Sequence, residues 1–185
     1  MVFSRLKNLG KKEPSPSVGS LAPYIVILED DQDQMPILVE YIFDEIQKII
    51  SHSSTDKRRK EIAKTIKIIK SIDIESLKSA VSIKGEIILA ILDCHIPDKK
   101  DSVASDQFVK QNRLINGKHR SVDIVTQHSP GTKITMISTL NRFQKIVQNH
   151  YKKEHGLSIN FINKKDPEMI KRNIGWTIKR YLNKA

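Results

Sequence analysis

A single cysteine, Cys94, leaves no partner for an intramolecular disulfide in this 185-residue chain and fits a reducing compartment. No apolar run approaches the ~20 residues that a membrane-spanning helix needs. The first twelve residues are basic but lack the apolar stretch and small-residue cleavage site of a secretory signal, so a cytoplasmic location is expected. The six histidines show no metal-ligand spacing with Cys94 or with one another, which argues against zinc. The segment Ser129-Pro130-Gly131-Thr132-Lys133 lacks the glycine spacing of a phosphate loop and reads as a turn. Self-similarity at solenoid periods is also missing.

Positive charge is abundant. The formal net charge is +11 and the pI about 9.7, a balance that attracts nucleic acid, acidic proteins or anionic membrane. The lysines read as spread along the chain, with few aromatics among them, which is the pattern of a solvated surface. Nucleic acid is therefore a weaker expectation, with Lys57, Arg58, Arg59 and Lys60 as the densest basic patch.

Residues 1–22 are basic and then rich in Ser, Pro and Gly, which reads as a flexible arm. From Tyr24 onward, short apolar runs alternate with helix-periodic stretches. The runs 24–28, 87–92, 134–137 and 159–162 are β-branched and continuous, as strands buried on both faces of a parallel sheet are. Helices are expected over 35–50, 102–115, 141–154 and from Asp166 to Asn183, the last opened by Asp166-Pro167. Between 51 and 72 two readings stand. Either a second helix runs to about Lys70, or Ile66–Ile72 is a strand followed by a helix capped by Asp73; the second completes a βαβ rhythm and is preferred. The fold class that results is a five-stranded, doubly wound α/β domain with a parallel sheet and helices on both faces, the flavodoxin-like arrangement.

The candidate reactive residues fall where the apolar runs end. Glu29, Asp30 and Asp31 close the first, Asp93 the second, Ser138 and Thr139 the third, and Lys164 and Lys165 the fourth. Parallel sheets bind ligands outside the carboxyl ends of their strands. If the four strands are neighbours, carboxylates, a hydroxyl and an ammonium meet at one edge, a setting for a divalent cation and a phosphoryl group.

Three segments in this order resemble the receiver domain of two-component response regulators. Ile25-Val26-Ile27-Leu28-Glu29-Asp30-Asp31 is similar to the family's first strand with its acidic pair. Leu92-Asp93-Cys94-His95-Ile96-Pro97 is similar to its phosphorylation motif, with Ile96 in place of methionine. Phe161-Ile162-Asn163-Lys164 is similar to its fifth strand end. The resemblance covers residues 24 to about 183. It implies Asp93 as phosphoacceptor, and Mg²⁺ held by Glu29 (through a water), Asp30, Asp93 and the backbone carbonyl of His95. It also implies Ser138 and Lys164 as phosphoryl-binding groups, and Ser138 and Phe161 as the switch pair.

The implied partners are a histidine kinase or histidine phosphotransfer protein as donor and a downstream protein as target. Only self-phosphorylation and autodephosphorylation chemistry would be expected, not an enzyme acting on other substrates. The last expected element is the fifth helix of such a domain, so output is expected through protein contact. Set against the family, segments near 51–64 and 116–131 read as insertions into a domain spanning 23–185. Lys165 stands where the family has proline, and Asp101 or a neighbour where it has glycine.

Two other readings compete. Haloacid-dehalogenase-type phosphotransferases also place a nucleophilic Asp after an apolar strand, but need a second Asp two residues on, where this chain has His95. A degenerate receiver could instead serve as a phosphorylation-independent adaptor, binding nucleic acid or an acidic surface through the basic segments.

Overall fold

The computed structural model describes residues 22–52, 54–94, 119–139 and 144–185. In chain order it contains β1 (Tyr24–Leu28), α1 (Gln34–Ser51), α2 (Lys57–Thr65), β2 (Lys67–Ser71), α3 (Ile74–Val81), β3 (Ile87–Asp93), α4 (Arg120–His128), β4 (Lys133–Ser138), α5 (Gln144–His155), β5 (Asn160–Asn163) and α6 (Pro167–Leu182). The strands form one all-parallel sheet in the order β2-β1-β3-β4-β5. This is the flavodoxin-like, doubly wound order, whose chain reversal lies between β1 and β3.

Alternation along the strands divides the core in two. Val26, Leu28, Ala90, Leu92, Ile134 and Met136 face α3, α4 and α5. Ile25, Ile27, Leu89, Ile91, Ile137 and Ile162 face α1, α2 and α6. Every residue of β1 and β3 is buried, which is why their sequences show no polar alternation. At about 1.5–3 kcal/mol for each buried Ile or Leu, these two strands fix the middle of the sheet. Whatever follows Leu28 and Leu92 is held by that core.

Both halves of the 51–72 ambiguity have a physical resolution. A short helix comes first, opened by Asp56, whose side chain accepts the amide of Arg59 at 2.9 Å. Ile66 then ends it, and β2 pairs with β1 from Tyr24↔Lys67 to Leu28↔Ser71. Asp73 caps α3 in a reciprocal box with Ser76: Asp73 Oδ1 accepts from the Ser76 amide at 2.7 Å, and Ser76 Oγ accepts from the Asp73 amide at 3.1 Å.

The segment near 116–131 carries α4, where the sequence showed a polar stretch between two turn signals. Val122, Ile124 and Val125 of α4 are buried against α3 and β3. A nine-residue helix is too short to be stable alone or to display a clear period, and forms here because its apolar face is packed. The expected helix at 102–115, His95 and the arm as far as residue 21 lie outside the described residues. Among the described residues no helix is long and apolar enough to cross a membrane.

Candidate functional site

The strand registers bring the ends of β1, β3, β4 and β5 to one crest. Leu28 pairs with Leu92, Leu92 with Met136, and Met136 with Phe161. One residue further along lie Glu29 and Asp93. Their side chains take the same side of the sheet as Ile27 and Ile91, and Lys164 takes the side of Ile162, as a period of two requires. Three backbone bonds tie the crest together: Glu29 N to Ser71 O at 3.0 Å, Cys94 N to Ile137 O at 3.2 Å, and Lys164 N to Ser138 O at 3.1 Å.

Lys164 is the hub. Its Nζ lies 2.5 Å from Asp93 Oδ2, and 3.0 and 2.8 Å from the two oxygens of Glu29. Glu29 is fully buried and Asp93 almost so. The neighbouring Lys165 is exposed, so of the two lysines Lys164 is the one in the site. Glu29, Asp30 and Asp93 each offer a carboxylate oxygen within 4.8 Å of the others, with Asp30 on the solvent side. Two carboxylates at that separation repel by about 3.5 kcal/mol at an effective dielectric of 20. Among the described residues, the ammonium of Lys164 is set against these carboxylates.

The titration of these groups follows. Burial, then the charge of Asp93, pushes Glu29 up to about 7 against the opposing pull of Lys164. Asp30 is raised by the same two causes in the same order. For Lys164, burial works to lower the pKa, but the charge of Asp93 and the bonds to Asp93 and Glu29 outweigh it, and the net shift is upward. Burial and the nearby Asp93 thus favour a proton on Glu29.

Asp31 has a different task. Its Oδ1 accepts the amides of Asp33 at 2.8 Å and Gln34 at 3.2 Å, opening α1, and its own amide donates to Glu29 Oε1 at 3.2 Å. It thereby aims Glu29 and starts the helix.

Ser138 is buried and its hydroxyl engages the thiol of Cys94. The Cys94 thiol is pushed up to about 12, first by burial and then by Asp93, which makes it an unreactive filler. Phe161 is half-buried and packs on the α3–α5 side of the sheet. Lys57, Arg58 and Arg59 are exposed on the first turn of α2, with Lys60 half-buried beside them.

Glu29, Asp30 and Asp93 could hold a metal ion, and oxygen donors with one carboxylate open to solvent suit a hard cation that keeps some of its waters. Glu29 Oε2 is buried and makes no hydrogen bond of ordinary geometry, with Lys164 Nζ 2.8 Å away as its ionic neighbour.

One neighbour of this site has no signature in the sequence. His119, buried at the start of α4, places Nε2 3.2 Å from the carbonyl of Cys94 and Nδ1 2.9 Å from Ser121 Oγ. Its amide donates to Tyr151 Oη at 2.8 Å, and Tyr151 Oη lies 2.6 Å from Asp123 Oδ1. A buried polar chain thus runs from the residue after Asp93 to α4 and α5.

No protein-family model and no curated protein matches the sequence. Among solved structures, an adenylate cyclase from Rhodopirellula baltica is similar at 10% identity and a TM-score of 0.47, covering 89% of this chain and 95% of its own. Two structures of the RcsB response regulator of Salmonella typhimurium, described in terms of conformational dynamism for DNA interaction, are similar at TM-scores of 0.44 and 0.41. The first is 11% identical, covering 88% of this chain and 67% of its own; the second is 10% identical, covering 86% and 65%. Likenesses of this size carry no argument about function, which has to come from the site.

Proposed function

We propose that this chain is a phosphorylation-dependent signalling switch of the receiver type, with Asp93 as its phosphoacceptor. The observation that carries the reading is the contact of Lys164 Nζ with both Glu29 and Asp93 at the crest of a flavodoxin-like sheet, beside the solvent-facing Asp30. Buried carboxylates set this close together are costly, and a bound cation would ease their repulsion.

In the proposed reaction a carboxylate oxygen of Asp93 attacks the phosphorus of a donor phosphohistidine. A phosphorus–oxygen bond forms, the phosphorus–nitrogen bond breaks, and the electron pair leaves with the donor imidazole, giving an acyl phosphate on Asp93. Lys164 transfers its hydrogen bond from Asp93 to a phosphoryl oxygen, as a compact charge on a flexible stem can. Glu29 and Asp30 would hold Mg²⁺, whose bound charge would offset that of the carboxylates and the incoming phosphoryl oxygens. Ser138 would leave Cys94 to bond a phosphoryl oxygen, and the movement of its strand end would reach Phe161 on neighbouring β5. The donor would be a histidine kinase or phosphotransfer protein, and the chemistry would be limited to this chain's own phosphorylation and dephosphorylation.

Amide spectra with beryllofluoride, an unreactive phosphoryl mimic, test the reading. Shifts at residues 29–31, 93–94, 138–139 and 164 that require both Mg²⁺ and the mimic, and vanish in Asp93→Asn, are expected. Unchanged spectra of the native chain at saturating Mg²⁺ and mimic would overturn it.

A further inference from the structure

The net positive charge is not evenly spread among the described residues. Residues 56–71, α2 with β2, hold seven basic side chains against Asp56 and Glu61. The remaining described residues hold fifteen basic and fifteen acidic side chains, so the excess belongs to this one segment. Arg59 is paired with Asp56 at 2.9 Å and Lys64 with Glu61 at 2.7 Å. Lys57, Arg58, Lys60, Lys67 and Lys70 make no ion pair among the described residues, and all but the half-buried Lys60 are exposed.

The placement is also adverse to the helix. Lys57, Arg58, Arg59 and Lys60 crowd the first turn of α2, which has no acidic residue. That end carries the positive pole of the backbone dipole, where exposed cations are unfavourable. The Asp56 cap and its pair with Arg59 answer one of these cations; a local rule broken by the rest points to a partner outside the fold, and an anion at this end would reverse the sign of the effect.

We propose that α2 and the adjoining edge strand β2 bind the phosphate backbone of duplex nucleic acid without regard to base sequence. The proposal stands apart from the Asp93 site and does not depend on it. An apolar membrane wedge is missing: Ala63 and Ile66 are buried, Ile62 is half-buried, and none of the exposed large hydrophobics lies in this segment. A stacking platform for single strands is missing too, since residues 54–71 contain no aromatic side chain. What remains is a cluster of cations on one helix and its adjoining edge strand, suited to the closely spaced charges of a duplex.

Fluorescence anisotropy of a labelled duplex with the full chain tests this. Five phosphate contacts predict that log affinity falls with log salt at a slope of about −4 to −5. The variant Lys57→Glu/Arg58→Glu/Lys60→Glu should lose tenfold or more in affinity while its thermal midpoint holds or rises, because acidic residues suit that helix end. Reversing Lys145, Lys152 and Lys153 on α5 changes net charge equally and should lower affinity less than threefold. Equal losses in the two variants, no duplex binding by the native chain, or equally tight binding to phosphatidylserine vesicles or polyglutamate would each overturn the proposal.

Discussion

His119 Nε2 lies 3.2 Å from the carbonyl oxygen of Cys94, 25 residues earlier in the chain and adjacent to Asp93. A carbonyl can only accept, so Nε2 carries the proton, and Nδ1 then accepts from Ser121 Oγ at 2.9 Å. Tyr151, fully buried in α5, accepts the amide of His119 and gives its own proton to Asp123. Its hydroxyl is raised in pKa by burial first and by Asp123 second, and stays protonated at every working pH.

Tyr151→Phe keeps the ring but leaves the His119 amide and the Asp123 carboxylate without their partner. The expected loss of stability is about 1–3 kcal/mol, read as a lower urea midpoint at unchanged slope. A variant as stable as the native chain would show that water replaces the hydroxyl and that the chain of bonds does not strengthen the fold.

Lys164→Met removes the ammonium that contacts two buried carboxylates, Glu29 and Asp93. A loss of about 3–5 kcal/mol is expected at pH 8, shrinking at pH 5, where Glu29 takes up a proton. An equal loss at both pH values would mean that Lys164 contributes packing rather than charge.

With the folded-state pKa of Glu29 at about 7 and its ordinary value at 4.5, the folded chain binds more protons than the unfolded chain between the two. The stability contributed by this group is fully present below 4.5 and is lost as pH rises through about 7; the upward shift of Asp30 acts in the same direction. Mg²⁺ competes with that proton, so its affinity should rise across the same window. Calorimetric titrations at several pH values check this, and Glu29→Gln should flatten both trends. A metal affinity independent of pH would contradict the placement of Glu29 in the cluster.

Gly85, at φ +157, precedes β3, and a Cβ there would come within 2.8 Å of Tyr24 Cε1 and 2.9 Å of the Ala22 carbonyl. Since Tyr24 donates from Oη to Ile83 O at 3.0 Å, it has little room to withdraw. Gly85→Ala should cost about 1–3 kcal/mol and lower the thermal midpoint; an unchanged midpoint would show that the turn yields.

Legibility in the sequence followed burial. The uninterrupted runs of β1 and β3 made the central strands plain, and the residues ending them marked the site because a carboxylate directly after a buried run is unusual. Asp73 and Asp166 announced their helices through capping chemistry, which is local. The short α4 was hidden because its stability comes from packing on α3 and β3 rather than from its own nine residues. The bonds from His119 to Cys94 and Tyr151 were hidden because they join residues 25 and 32 positions apart. The choice between Lys164 and Lys165 needed the strand's alternation as a physical fact, since both stand at the same chain end.

The most direct measurement is the intact mass of the chain after incubation with Mg²⁺ and a small phosphodonor, native beside Asp93→Asn. One phosphoryl group is expected on the native chain, lost on chelation of Mg²⁺ before the reaction and absent from the variant. A phosphoryl group on both chains, or on neither while the native chain remains folded, would contradict Asp93 as the acceptor.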